Sequence, residues 1–247
     1  KRRTRSRVSG PTSGVVGTQY AFQAAVTPAH ATSPVTYGWQ VSGAAPITHT
    51  VGLSDTLALS WSAAGTYTIT VSATNAAGGP VTASHTIKIT AGAESTVTPG
   101  APATLVYTPT TSGPTMLSIP AGAVTEATTL RIVPGTTIAP GPGFAFAGHA
   151  FSLDAYQNGG MVEGFTFAKP VTVTVGYVEA DLAGQDEATL RLMTWNGTAW
   201  VDAATTCSPA STYVRDLANN RVSVAICHLS DYALFGQHRV LLPSLRR

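Results

Sequence analysis

The chain has 247 residues, which is long enough for one large or two ordinary domains, and only 11% of them are charged. The net charge is +2, and half of the 14 basic residues lie at the two ends, in 1–7 and 245–247. The remaining chain is acidic and lacks the basic stripe that nucleic-acid binding needs, so we expect no nucleic-acid partner. No apolar run is long enough to cross a bilayer, so we also expect no membrane span.

Glycine, serine, threonine and alanine dominate the composition. A surface covered by hydroxyls and small side chains is typical of extracellular β proteins, so we expect an extracellular or cell-surface location. No charged-then-apolar signal peptide opens the chain, and we therefore expect a processed or trimmed product.

The first third of the chain alternates apolar and polar residues with period two. One face carries Tyr20 and Phe22, another Tyr37 and Trp39, and each run ends in Gly, Pro, Asn or Ser. Short strands at this spacing predict an antiparallel sandwich with Trp39 and Tyr67 in its core.

Two motifs in this part resemble a known family. A Tyr-x-Trp strand at 37–39 is followed by AGTYTITV at 64–71 and TNAAG at 74–78. The combination resembles the polycystic-kidney-disease-type immunoglobulin-like domain, which is common in bacterial surface proteins. The family's acidic turn after the Trp is replaced by QVSG at 40–43, so no role of carboxylates at that turn is carried over.

The stretch AGAESTVTPGAPA at 91–103 has no apolar periodicity and predicts a linker. We therefore predict an all-β protein of two tandem antiparallel β-sandwich domains. The first domain covers 8–91, a short linker covers 92–103, and the second domain covers 104–236. A C-terminal tail follows at 237–247.

The second domain also shows alternating runs, the clearest of them at 189–203. In TLRLMTWNGTAWVDA, Asn196-Gly197 predicts a tight type I′ turn flanked by Trp195 and Trp200. Together with IPAGAV at 119–124 and HLSDYALF at 228–235, this hairpin resembles the β domain of ankyrins, netrin receptors and many bacterial surface proteins.

The chain has two cysteines, Cys207 and Cys227. They lack the spacing of a zinc site or a redox motif. They form either a disulfide, which would close a loop of about 20 residues, or two buried free thiols.

The two ends are candidates for assembly. Arg2 and Arg3 lie in the basic heptapeptide, and Val240, Leu241 and Leu242 form an apolar run beyond the last predicted strand. Such a run is usually covered, either by its own domain or by a neighbouring copy that accepts it as an added strand.

Motifs for chemistry are scarce. Neither a serine-nucleophile elbow nor a phosphate loop is present, and the six histidines are scattered, so we expect no enzyme, no metal site and no cofactor. The acidic loop with Glu179, Asp181, Asp186 and Glu187 is either a solvated loop or a calcium site without the usual register. Asn196-Gly197-Thr198 fits a glycosylation sequon, although the turn alone explains it.

Trp195 and Trp200 are either packed residues or a platform on which a sugar stacks. An exposed, coplanar pair beside polar groups would favour the platform. The sequence therefore predicts a structural subunit of a bacterial surface filament, sheath or layer that self-associates through its termini. The alternative is an adhesin or carbohydrate-binding module with a glycan as partner.

Overall fold

The computed structural model describes residues 5–135, 141 and 143–238. The chain divides into two compact units, 1–91 (the first unit) and 92–247 (the second unit). Both units are built from β-sheets with very little helix, which confirms the all-β class. All strand pairs in the described ranges are antiparallel except one parallel pair in the first unit, between residues 13–15 and 88–90. Among the described residues, no helix has the length and apolar character needed to traverse a membrane.

The first unit is a sandwich of a three-stranded and a five-stranded sheet. Its strands are β1 (Arg5–Ser9), β2 (Ser13–Val15), β3 (Tyr20–Thr27), β4 (Val35–Val41), β5 (Ile47–Val51), β6 (Ser54–Leu59), β7 (Gly65–Asn75) and β8 (Gly78–Thr90). The sheets have the orders β1-β3-β6 and β2-β8-β7-β4-β5. The strand β1 lies largely before the predicted start at residue 8, because Arg5 to Ser9 pair with β3.

The core of the first unit follows the predicted alternation. Phe22, Tyr37, Trp39 and Ile69 are fully buried. Tyr67, predicted as a core residue, is only half-buried; its ring stacks on Trp61 with centroids 5.1 Å apart. The large aromatic residues of alternate positions thus meet between the two sheets, as period two requires.

A buried carboxylate ties the two sheets of the first unit together. Asp55 of β6 accepts hydrogen bonds from the indole Nε1 of Trp39 at 2.7 Å and from the backbone N–H of Thr56 at 2.9 Å. The Nδ1 atom of His49 lies 2.9 Å from the same carboxylate. Because a buried indole N–H needs an acceptor, Asp55 is a structural residue.

The second unit also has two main sheets. Its strands are β9 (Ala93–Val97), β10 (Ala103–Tyr107), β11 (Thr115–Ile119), β12 (Thr128–Pro134), β13 (Ala145–Gln157), β14 (Gly160–Met161), β15 (Thr166–Gly176), β16 (Gln185–Trp195), β17 (Trp200–Asp202), β18 (Val214–Asp216), β19 (Arg221–His228) and β20 (Asp231–His238). One short helix, α1 (Glu179–Leu182), and two 3₁₀ turns, Ala203–Thr206 and Leu217–Asn219, connect them.

These strands form a five-stranded sheet, β10-β11-β15-β19-β18, and a seven-stranded sheet, β17-β16-β20-β13-β12-β9, in which β14 pairs with β13. The core between them is rich in Val, Leu and Ile. The last strand ends at His238 and not at 236, because Gln237 and His238 pair with β16.

The predicted linker is wrong for residues 93–97, which form β9 and pair with β12. Within this strand, Glu94 forms a salt bridge with Arg131. The guanidinium atoms Nε and Nη2 each lie 2.8 Å from Oε2 of Glu94. Both side chains are at least nine-tenths buried, and the guanidinium also lies over the ring of Tyr156 at 4.3 Å. A segment without apolar periodicity is therefore held by sheet pairing and a buried ion pair.

Cys207 and Cys227 form a disulfide, with Cα atoms 5.1 Å apart. Cys207 ends the 3₁₀ turn that follows β17 of the seven-stranded sheet, and Cys227 lies in β19 of the five-stranded sheet. The bridge thus joins the turn that follows one sheet of the sandwich to a strand of the other sheet, and it decides between the two alternatives that the sequence leaves open.

Candidate functional site

The outer face of the seven-stranded sheet is unusually apolar. Along β20, Tyr232 and Leu234 belong to the sandwich core, while Ala233 and Phe235 belong to a separate cluster with Ala150. All four residues on β20 are buried. A sheet with one solvated face normally carries polar residues there. This outer cluster is covered by the partly buried rings of Phe144, Phe146 and Trp200, which form a second layer of aromatic side chains on this face.

An open groove of about 390 Å³ lies on this face. Its lining consists of Gly135, Ala150, Phe151, Ser152, Trp195, Trp200, Asp231 and Tyr232. The combination of large aromatic residues with a few polar groups is typical of small-molecule sites. We call this cavity the tryptophan groove.

The two tryptophans predicted as a platform are both part of this groove. They are directly paired across β16 and β17, and their ring centroids are 5.5 Å apart. The ring planes are inclined by 52°, so the rings do not form a single flat platform. Trp195 is 36% exposed, whereas Trp200 is half-buried and packs edge-on against Phe235 at 5.7 Å. Trp195 therefore offers the accessible ring and Trp200 supports it.

The loop between these tryptophans differs from the predicted two-residue turn. It spans residues 196–199, and the N–H of Asn196 donates to the carbonyl of Ala199 at 3.1 Å. The side chain Oδ1 of Asn196 also accepts from the N–H groups of Thr198 and Ala199 at 3.0 and 2.8 Å. Asn196 thus satisfies the loop backbone internally, and the hairpin keeps both rings on one side of the sheet.

The polar groups of the groove come from the neighbouring strands. Ser152 of β13 and Asp231 of β20 are paired residues, and the hydroxyl of Ser152 donates to Oδ1 of Asp231. Asp231 is exposed, and among the described residues its Oδ2 atom has no hydrogen-bond partner. The groove lining therefore contains both the exposed indole of Trp195 and Oδ2 of Asp231, which has no partner in the described part of the chain.

Asp154 lies two residues beyond Ser152 on β13 and opposite Arg131. Burial raises the pKa of its carboxyl group, and the charge of Asp231 adds to this, while Arg131 opposes it. Asp154 and Asp231 thus interact electrostatically near the groove.

A second polar cluster, which sequence analysis missed, joins Ser112, His149 and Asp181. The hydroxyl of Ser112 donates to Oδ2 of Asp181, and its oxygen lies 2.5 Å from Nε2 of His149. The same Asp181 oxygen accepts from the N–H of Val178 at 2.8 Å. These residues are far apart in sequence, so no local motif could have revealed them.

The arrangement does not match a catalytic triad. In a triad, the carboxylate holds the histidine nitrogen that faces away from the serine. Here Asp181 binds the serine itself and lies 3.6 Å from Nε2, the nitrogen that faces Ser112. Because the hydroxyl proton goes to Asp181, Nε2 is the donor to Ser112 and is not available as its base. The cluster fastens α1 to β13 and serves the fold.

Protonation of His149 should destabilise the second unit. Burial lowers the pKa of His149 below its ordinary value of 6.5, although Asp181 acts in the opposite direction. At a pH between the lowered pKa of His149 in the folded chain and its ordinary pKa in the unfolded chain, the unfolded chain therefore binds more protons than the folded chain. We expect the stability to fall as the pH falls through this window, and His149→Gln to make this loss shallower. Urea unfolding at several pH values measures the stability of the unmodified chain and of His149→Gln. If the stability of the two proteins depends on pH in the same way, the expectation is contradicted.

Three of the four residues of the predicted acidic loop, Asp181, Asp186 and Glu187, have separate partners, while Glu179 begins the helix α1. Asp181 belongs to the cluster with His149, Asp186 accepts from the N–H of Ala188, and Glu187 accepts from the hydroxyl of Tyr177. This hydrogen bond and, above all, burial raise the pKa of Tyr177 to about 12. Within the described ranges, no group of three or more acidic, histidine or cysteine side chains is arranged to hold a metal ion. Asp181, Asp186 and Glu187 therefore each stabilise a different local contact of the fold.

The predicted assembly residues Arg2, Arg3, Val240, Leu241 and Leu242 lie outside the described residues. Their role in self-association stays a prediction.

Comparison with known proteins finds a family match for the first unit. Residues 6–91 match the family model described as the PKD domain, which confirms the resemblance predicted for this part of the chain. The resemblance of the second unit to the β domain of ankyrins and netrin receptors is not confirmed. A search of the curated proteins finds no match.

Among the solved structures that match this chain is one described as the structural basis for the promiscuous specificity of carbohydrate-binding modules from the β-sandwich superfamily. It is 12% identical, covers 97% of this chain and 94% of its own, and has a TM-score of 0.32. This likeness is too low to show a shared fold.

Proposed function

We propose that the chain is a non-catalytic recognition unit of an extracellular β protein and that the tryptophan groove binds a carbohydrate. The observation that carries this proposal is that one groove contains the exposed indole of Trp195 and a carboxylate oxygen of Asp231 that is unpartnered within the described ranges. A sugar presents an apolar C–H face and a rim of hydroxyls. The indole packs against the C–H face of the sugar, and Asp231 and Ser152 bind its hydroxyl groups.

The extracellular location is supported by the disulfide and the PKD domain. Disulfides persist in oxidising compartments and are rare in the cytosol. The low share of charged residues, 11% of the chain, agrees with this location.

Replacing Trp195 by alanine should weaken binding of the preferred oligosaccharide. Truncation of a central aromatic contact costs about 2 kcal/mol, which is roughly a 30-fold loss of affinity. Calorimetric titration of the full chain, with the sugar chosen by a glycan array, measures the loss. Trp195→Phe keeps an aromatic ring and should retain part of the affinity.

Val214→Ala is the matched control, since Val214 is 66% exposed and lies outside the groove lining. It should bind like the unmodified chain. Equal affinities of Trp195→Ala and this control would remove the groove from the binding site.

Self-association into a bacterial surface assembly is the second candidate. The edge strand β5 of the first unit favours it, because β5 pairs with β4 alone in its sheet. Ile47 and Val51 on this strand are 37% and 38% exposed, and its sequence ITHTV contains no lysine or proline to block pairing. An edge of this kind is open to strand addition by a second copy.

Deleting residues 239–247 tests the role of the tail in such an assembly. If the apolar run at Val240 to Leu242 is the added strand, the full chain should form long particles and the truncated chain should not. Light scattering and negative-stain imaging of the same samples measure this. A clean monomer of 25.4 kDa from the full chain would exclude self-assembly.

A further inference from the structure

A second groove adjoins the tryptophan groove and shares Asp231 with it. It has a volume of about 250 Å³ and lies beside β14 and the end of β13. Asp154, Glu163, Met161 and Phe165 are among its lining residues. A ligand longer than one sugar ring can therefore extend from Trp195 past Asp231 into this second cavity, which we call the acidic groove.

The charges along this path have one sign. Asp154, Glu163 and Asp231 line the two cavities, and the described lining residues include no lysine, arginine or histidine. The basic residue nearest in the sheet pairing is Arg131, opposite Asp154. Its guanidinium, however, is engaged by Glu94 and lies over the ring of Tyr156. The carboxylates of the path thus remain only partly compensated.

The geometry at Asp231 suits a cation. The hydroxyl of Ser152 occupies one carboxylate oxygen, which leaves Oδ2 without a partner among the described residues. Burial raises the pKa of the neighbouring Asp154, because desolvation disfavours its charged form and the charge of Arg131 offsets this only in part. A bound ammonium group would offset that cost. An ammonium near an indole also gains cation–π stabilisation, and its hydrogen bonds to carboxylates are stronger than neutral ones.

From this arrangement we infer that the preferred ligand is a glycan that carries protonated amino groups, of the glucosamine type. Trp195 stacks on a sugar ring while Asp231 and the acidic groove bind the ammonium groups. Anionic glycans are excluded by the same carboxylates. This inference rests on the proposed carbohydrate binding and specifies its substrate class.

Three oligosaccharides of equal length and linkage test it: a glucosamine oligomer, its N-acetylated counterpart, and a uronic-acid oligomer. The full chain is titrated with each at mildly acidic pH. We expect the glucosamine oligomer to bind at least roughly tenfold more tightly than the neutral one, as one charge-assisted hydrogen bond provides. The uronic-acid oligomer should not bind measurably. Raising the pH until the amines are neutral should remove the preference.

Asp231→Asn should reduce the affinity for the glucosamine oligomer more than that for the neutral oligomer, so that the ratio falls towards one. Glu163→Gln is a second variant, in case loss of the hydrogen bond with Ser152 affects folding. Glu126→Gln, an exposed carboxylate outside both linings, is the matched control for unspecific attraction and should keep the ratio.

Equal or tighter binding of the neutral or the anionic oligomer would overturn this inference and leave carbohydrate binding intact. The inference is also overturned if Glu126→Gln reduces the preference for the glucosamine oligomer as much as Asp231→Asn does. If none of the three oligomers binds and the glycan array is blank, the proposed function itself fails.

Discussion

Replacing Glu94 by glutamine is expected to lower the free energy of unfolding of the second unit by roughly 3–5 kcal/mol. The substitution removes the carboxylate charge that Nε and Nη2 of Arg131 contact, and Arg131 is only 6% exposed. The aromatic ring of Tyr156 remains in contact but cannot replace a full negative charge. Because β9 has few apolar residues, we expect this ion pair to contribute substantially to holding residues 93–97 on the sheet, in addition to the pairing with β12.

The measurement is urea unfolding of the full chain, followed by calorimetry to separate the two units. Arg191→Gln provides a matched control, since it breaks the exposed ion pair with Asp202, in which the arginine side chain is 50% exposed. Exposed pairs contribute at most about 1 kcal/mol. If both variants lose the same small amount, the buried pair does not hold β9.

A double replacement shows whether β9 depends on the charge of Glu94 or on the shape of its side chain. Replacing a buried pair by neutral side chains of similar volume is often close to neutral for stability. Glu94→Gln combined with Arg131→Met should therefore recover part of the loss seen for Glu94→Gln alone. The lack of any recovery would mean that β9 depends on the shape of Glu94 and not on its charge.

Removing the disulfide is the second large effect. Replacing Cys207 and Cys227 together by alanine should lower the stability by roughly 3 kcal/mol, because the unfolded chain regains the freedom of a loop of 20 residues. Alanine is chosen over serine, since Cys207 is 8% exposed and a hydroxyl there would need a partner.

The unfolding midpoint of the unmodified chain in reductant should approach that of the double alanine variant. The variant itself should be insensitive to reductant. A midpoint of the unmodified chain that does not change after complete reduction would show that the bridge contributes nothing to stability.

Local patterns determined much of the fold. The alternation of Tyr37 and Trp39, and of Ile69 and Val71, reflects the two faces of a strand, so neighbouring residues alone predict it. The PKD resemblance followed from similar local motifs and was confirmed for residues 6–91. The strand β9 was missed because its five residues, AESTV, carry no apolar period.

The site depended on contacts between distant strands. Trp195 and Trp200 were recognisable as a pair from the hairpin, but their 52° inclination and the support from Phe235 arise from tertiary packing. Asp231 lies in the groove because β20 pairs with both β13 and β16. Local periodicity does not predict this strand order.

The sequence by itself thus determined the class of fold, the hairpin and the candidate aromatic residues, since these depend on residues close together in the chain. Only the tertiary structure decided that one outer sheet face is apolar and that Asp231 lies beside Trp195. It also placed Ser112, His149 and Asp181 together. The physical reason is that sheet order and register bring these residues together across separations that no local pattern encodes.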